Sequence, residues 1–297
     1  MLKSEIPQHQ FKATWGFTLE SLKDVDVLIP TMCPVTLELL DTANRLQLIQ
    51  QCGAGLEGVD IKAARNKEIW VANVPTNISG TADSVAEIGI YMMIGLSRNV
   101  SAMAKSLVNR TMGQPMGRAL KVRTVDIVGL GGIEQALVKR LQSFGVHLIG
   151  IKRHAPKKAK DTLGMEWIGD PADLNTLLKK SGFVILCLPL TAESRQMIDT
   201  AAFSSMKPGA FLINLSRGGI VDRDALEKAL ASNIIAGAGL DVFWEEPPDP
   251  NDPIFSHNVL ATPHIAASTD VSMRGIVKAV AENIRRVNDN LEPFYAK

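Results

Sequence analysis

The sequence predicts an α/β fold made of two domains, each a doubly wound parallel sheet, with a cleft between them. Three observations predict it. Short β-branched runs alternate with helix-length stretches along the whole chain, two strands of the second half are almost continuously apolar, and one long apolar helix interrupts the rhythm.

The strand candidates, in order, are DVLI (26–29), RLQLIQQCG (45–53), TVDIVGLG (124–131), HLIGI (147–151), FVILCLP (183–189), AFLINLS (210–216), AGAGLDVF (236–243) and NVLATP (258–263). Parallel neighbours need a crossover, and the stretches between these runs are long enough to supply helices. FVILCLP and AFLINLS show no polar alternation, as befits strands covered on both faces. PADLNTLLKKS (171–181) and DRDALEKALASN (222–233) carry acidic residues early and basic ones late, the order a helix dipole favours. TADSVAEIGIYMMIGLSRNVSAMAKSLV (81–108) is apolar at helical period for about seven turns and is read as the connector between domains. QPMGRALKV (114–122) then supplies loop signals. The division expected is a first, substrate-binding domain over 1–98, completed by a C-terminal helix within 269–297, and a dinucleotide-binding domain over 99–268.

Composition narrows the function classes. The 297 residues are 46% hydrophobic, enough for a core in each domain. Thirty-two basic residues face 31 acidic ones, so no net field draws nucleic acid or an anionic membrane. Cys33, Cys52 and Cys187 form no C-x-x-C pair, which implies reduced thiols and a cytoplasmic protein. MLKSEIPQHQF lacks a signal-peptide pattern, and no apolar run reaches the roughly 18 residues of a membrane span. No metal site is expected.

GLGGIEQAL (129–137) carries the first functional signal. Gly129 and Gly131 follow an apolar strand and open an amphipathic helix, with HLIGI at βαβ spacing, the context of a dinucleotide-binding turn. Gly129 permits the tight turn and Gly131 lets backbone approach a pyrophosphate. Gly132 and Ile133 begin the helix, whose free N–H groups favour an anion. The third place, normally small, holds Glu134, and Asp126 lies inside the preceding strand. A carboxylate near a pyrophosphate is repulsive, and a buried strand should carry a charge only if it is paired or protonated. The expectation is a dinucleotide site with a weak hold. After the next strand stand Ile151, Lys152 and Arg153, where a carboxylate would grip ribose hydroxyls; the basic pair predicts NADP in preference to NAD.

Three later strands end in chemistry-bearing residues: Arg217 in NLSRGG, Glu246 in LDVFWEEPP and His264 in LATPHIAAS. Open α/β sheets bind ligands at these C-terminal ends. Reducing a 2-keto acid needs a fixed cation for the carboxylate and carbonyl, and a proton donor for the developing alkoxide. A guanidinium supplies the first with its planar fork. His264 supplies the second, with Glu246 raising its pKa, while hydride comes from a nicotinamide.

With these residues go QCGAGLEGVDIKAA, SVAEIGIYMMIGLSRN, CLPLTAESRQMI, MKPGAFLINLSRGGIVDRDALEKAL, IAGAGLDVFWEEPP and ATPHIAAS, and on them the chain resembles the D-isomer-specific 2-hydroxyacid dehydrogenases over nearly its whole length. The resemblance implies two Rossmann-like domains around a cleft, usually paired as a homodimer through the cofactor domain. It implies that Arg217, Glu246 and His264 are the catalytic residues and that Asp241 helps orient the nicotinamide amide. Pro189 and Ser194 fall on the cofactor side, and the backbone of Ala54 and Gly55 receives the substrate carboxylate. The function so implied is reduction of glyoxylate, hydroxypyruvate or a similar small 2-keto acid to the D-2-hydroxy acid. The alternative, favoured by Glu134 and Asp126, is a cofactor-impaired homologue that senses a nucleotide or acts as a scaffold.

Overall fold

Among the residues described by this computed structural model, 1–129 and 131–297, the strands form two sheets in which every pairing is parallel. The chain divides into two units, Met1–Thr81 with Ser268–Lys297, and Ala82–Ala267. Leu130, inside the glycine motif, lies outside the described residues.

The first unit holds β1 (Val27–Leu28), β2 (Leu48–Gln50) and β3 (Trp70–Ala72), in the order β1-β2-β3. Successive side chains of β2 point to opposite faces. Ile49 joins Leu28, Leu40 and Ala64 in one apolar cluster; Leu48 joins Ala72, Ile276, Val280 and Ile284 in another. The second cluster is where helix Asp270–Asn288 packs, and the buried Asn283 on that helix donates to Gln50 Oε1 at 2.7 Å.

The second unit holds β4 (Thr124–Val128), β5 (His147–Ile151), β6 (Trp167–Gly169), β7 (Phe183–Leu186), β8 (Ala210–Asn214), β9 (Ile235–Leu240) and β10 (Val259–Ala261). Their order is β10-β9-β8-β7-β4-β5-β6. Counted from β4, this is the doubly wound order of a dinucleotide-binding sheet with one strand added, and the direction reverses between β4 and β7. Both faces are covered. Ile127, Ile185 and Ile213 meet Leu137 and Leu141 of helix Gly132–Leu141, while Val128, Val184 and Leu212 meet Leu177, Phe203 and Leu226. That double covering explains why β7 and β8 read as unbroken apolar runs.

Two features depart from the sequence reading. The stretch 81–108 is two helices, Thr81–Arg98 and Val100–Val108, broken at Asn99, whose φ is +50°. Asparagine tolerates this left-handed conformation, and its Oδ1 caps the second helix by accepting from the Ala102 N–H at 3.2 Å. The first of these helices is a layer of the second unit rather than a connector, since Met92, Met93 and Leu96 are buried in one cluster with Val125 and Ile127. The division therefore falls at 81/82 instead of 98/99. The short strands β3 and β6 are also additions, each formed by pairing onto a longer neighbour.

Among the described residues no helix is long and apolar enough to cross a membrane, and no group of three or more His, Cys, Asp or Glu side chains is placed to hold a metal ion.

Candidate active site

The C-terminal ends of β8, β9 and β10, three adjacent strands, carry Arg217, Glu246 and His264 on the loops that follow them. Leaving β8, the chain turns on Asn214, whose Oδ1 accepts from the Ser216 N–H at 3.1 Å and from its hydroxyl at 2.8 Å. The Asn214 amide donates to the Arg217 carbonyl at 2.8 Å, which fixes the backbone bearing the guanidinium. Arg217 in turn donates from Nη1 to the Ser216 carbonyl at 2.7 Å. Gly218 follows, and there only a glycine fits: a Cβ would lie 2.1 Å from the Phe243 carbonyl carbon and oxygen. The loops after β8 and β9 are thus pressed backbone to backbone, and Trp244 ties them again through Nε1 to the Val221 carbonyl at 2.6 Å.

Beyond β9, Asp241 is almost wholly buried at 2% exposure. Its Oδ1 accepts from the Thr262 hydroxyl at 2.6 Å and from the Ile265 N–H at 3.0 Å, and both oxygens accept from the Ala266 N–H. Burial pushes its carboxyl up from the usual range, and these donors together with His264 pull it back. Every one of these bonds goes to the loop after β10, so Asp241 clamps the segment that presents His264. Within that clamp His264 adopts φ +53°, a left-handed backbone unusual for a residue with a side chain.

His264 Nδ1 lies 2.7 Å from Glu246 Oε2, and Glu246 Oε1 accepts from the Phe243 N–H at 3.0 Å. The hydrogen bond to Glu246 raises the imidazole pKa above its ordinary value, against the opposing effects of burial and of Arg217. Burial alone would raise the Glu246 carboxyl; the bonds from His264 and Phe243 and the charges of His264 and Arg217 outweigh it and hold it below its usual range. Both shifts favour the imidazolium–carboxylate form of the pair. Arg217 acts electrostatically on both members.

The glycine turn leaves β4, next to the point where the strand order reverses. Gly129 has φ +95° and lies against the Cys187 carbonyl, where a Cβ would come within 3.0 Å; the turn leads into helix Gly132–Leu141. A helix N-terminus behind Gly129 and Gly131 suits an anion, and at Gly131 the side-chain space is bounded by Glu134 alone. The Glu134 carboxylate turns inward and is 4% exposed. Asp126, on β4, points into apolar surroundings with both oxygens lacking any hydrogen-bond partner, and burial raises its carboxyl to about 8. It resolves the expected conflict by protonation rather than by pairing.

Lys152 is half-buried after β5 and bears on Glu134, whereas Arg153 is exposed and bears on Glu193. Ser194 is buried: its hydroxyl donates to the Pro189 carbonyl at 2.8 Å and accepts from the Thr191 N–H at 2.8 Å, so it shapes the loop after β7. Ala54 and Gly55 belong to the first unit, in the loop after β2, where Asn73 donates to the Ala54 carbonyl at 2.7 Å. Sequence reading passes over Asn214, Thr262 and Gly218; the polar residue ending an apolar strand and the paired glycines of NLSRGG were their available signals.

This fold and these strand tips define an α/β protein with a nicotinamide-dinucleotide domain and a cation, an imidazole and a carboxylate at the C-terminal end of its sheet. Residues 90–266 match the NAD-binding domain of the D-isomer specific 2-hydroxyacid dehydrogenases, and the chain belongs to that family. It is 37% identical over 280 residues to a glyoxylate reductase of Thermococcus litoralis, covering 91% of this chain and 82% of that protein. It is 35% identical over 272 residues to a D-3-phosphoglycerate dehydrogenase of Methanocaldococcus jannaschii, covering 91% of this chain but only 51% of that longer protein. Among solved structures, D-lactate dehydrogenase of Aquifex aeolicus, complexed with NAD and lactic acid, matches with a TM-score of 0.81 at 27% identity, covering 91% of this chain and 84% of that one.

Proposed function

We propose that this protein reduces glyoxylate, hydroxypyruvate or a similar small 2-keto acid to the D-2-hydroxy acid, with NADPH preferred over NADH. The observation that carries the reading is the His264–Glu246 pair at 2.7 Å, within the electrostatic reach of Arg217. The bound nicotinamide supplies the hydride. Arg217 offers its guanidinium to the substrate carboxylate and carbonyl oxygen, polarising the bond that is reduced. His264, held by Nδ1 to Glu246, gives its other ring proton to the oxygen as negative charge develops there. Glu246 stabilises the imidazolium beforehand. Asp241 holds the loop in register, which limits its role to positioning unless it also receives the nicotinamide amide.

On the first unit, Ala54 and Gly55 are assigned to the substrate carboxylate. On the second, Gly129, Gly131, Gly132 and Ile133 form the phosphate turn, Pro189 and Ser194 shape the neighbouring loop, and Lys152 and Arg153 favour a 2′-phosphate. A homodimer is proposed through the second unit, where Leu107, Val108, Met112 and Met116 are exposed along and after helix Val100–Val108. The three cysteines are unpaired, consistent with a cytoplasmic enzyme.

The test is turnover. Purified protein is given NADPH or NADH with each keto acid, and loss of reduced-nicotinamide absorbance is followed. Turnover by the native chain that disappears in His264→Ala supports the reading. A second reading, a homologue that binds a nucleotide without turning it over, is favoured by the buried Glu134; it predicts no turnover with any short keto acid.

A further inference from the structure

Glu134 is the third residue of helix Gly132–Leu141, a place from which a side chain can reach solvent. Instead it folds back over the turn it follows. Its Oε1 lies 3.0 Å from where a Cβ on Gly129 would stand, and Oε2 lies 3.3 Å from the same point on Gly131. One carboxylate thus lies beside both glycines, alone at Gly131 and together with the Cys187 carbonyl at Gly129.

A carboxylate so enclosed needs local compensation. Burial raises its pKa, but the N–H groups of Glu134 itself and of Gly131, and the charge of Lys152, act in the opposite direction and favour the anion. Cys187, on the other side of the turn, is buried, and its thiol is pushed up by burial and by Glu134, so it brings no counter-charge. The groups that favour the Glu134 anion are those by which a glycine turn at a helix N-terminus holds a phosphate: backbone N–H donors, the positive end of the helix and a nearby cation.

We propose that Glu134 is an internal anion of the glycine turn: its carboxylate takes the position and the N–H donors of a dinucleotide phosphate, and a cofactor binds only by displacing it. The idea rests on the dinucleotide reading above and adds to it a competitor built into the chain. Affinity is then set by the difference between two anions for one set of donors, rather than by the quality of the donors alone. The displaced carboxylate has a route outward, since neighbouring Gly131 is exposed.

Equilibrium binding tests this without any keto acid present. NADPH and NADH are titrated into the native protein, Glu134→Gly, Glu134→Ala and Glu134→Gln, with calorimetry and reduced-nicotinamide fluorescence as readouts and circular dichroism to verify folding. Dissociation constants fall by at least about tenfold in the Gly and Ala variants. They fall by less in the Gln variant, which keeps the bulk and loses the charge; as a near-isostere it also covers the case in which a smaller residue unsettles the helix. If the native chain binds and no variant binds more tightly, the internal anion is overturned and the cofactor reading stands. If no form binds either dinucleotide, both are overturned.

Discussion

Glu246 holds the Phe243 N–H with one oxygen and His264 Nδ1 with the other, at 3.0 and 2.7 Å, so the ring is oriented by a carboxylate that is itself fixed to its own loop. With Nδ1–H directed at the carboxylate, Nε2 is the nitrogen left for substrate. The left-handed backbone of His264 costs about 1–3 kcal/mol and persists because the Asp241 clamp over-determines the loop.

Glu246→Gln preserves an acceptor for Nδ1–H but removes the charge. The His264 pKa is raised chiefly by its bond to Glu246, so the imidazolium persists to higher pH than in a free side chain. Reduction needs that imidazolium, and the rate therefore falls as pH rises through the raised value. In the variant the falling limb of the pH–rate profile moves to lower pH. A limb that stays in place removes Glu246 from proton donation.

Arg217→Lys separates charge from geometry. Lysine retains the cation and loses the planar fork that holds a carboxylate through two parallel bonds. The expected result is a fall in kcat/KM of about a hundredfold, roughly 3 kcal/mol of transition-state stabilisation, with the melting temperature nearly unchanged. Kinetics that survive in a protein that melts early would make Arg217 a structural residue.

Asp241→Asn probes positioning. The carboxylate accepts from Thr262, Ile265 and Ala266, and an amide in its place turns a donor toward at least one of those donors. A buried donor left unsatisfied costs about 1–3 kcal/mol, which urea unfolding would detect. A positioning role further requires kcat to fall more than KM rises, because the loop carrying His264 loosens while the cation of Arg217 remains.

These roles divide by how much of each was legible in the sequence. Arg217, Glu246 and His264 stand out because each follows an apolar strand and neighbours Gly or Pro, a pattern local in the chain. The parallel α/β class follows from the same rhythm of runs and helices, while the strand order comes from the structure. The inward turn of Glu134 does not, since its identity shows only that a carboxylate occupies the first helical turn; the side chain's direction is decided by space beside Gly129 and Gly131. The break at Asn99 is hidden within apolar periodicity, and β3 and β6, at three residues each, become strands only by pairing with β2 and β5. Thr262 is bound to Asp241 across loops, which no spacing rule reports, whereas Asn214 bonds Ser216 and Arg217 within its own loop.

Asp126 yields the last prediction. Its neighbours in register on β5 and β7 are Ile149 and Val184, and neither carboxyl oxygen has a partner. Burial raises its pKa from 3.8 to about 8. The folded chain thus keeps a proton that the unfolded chain releases above about pH 4, and the unfolded state is favoured progressively as pH rises from there to about 8, at about 1.4 kcal/mol per pH unit while the two states differ by a full proton. Removing the acid removes that slope. Asp126→Val fits a β-branched side chain to an apolar strand and should stabilise the protein, by more at pH 7 than at pH 5, with a difference of roughly 2–3 kcal/mol between the two gains. Asp126→Asn serves as the control, because it cannot ionise yet keeps a polar group among apolar ones: it should lose the pH dependence while recovering less stability. Urea unfolding of the three proteins at both pH values measures all of these quantities, and a gain independent of pH would show that Asp126 does not hold its proton in the folded state.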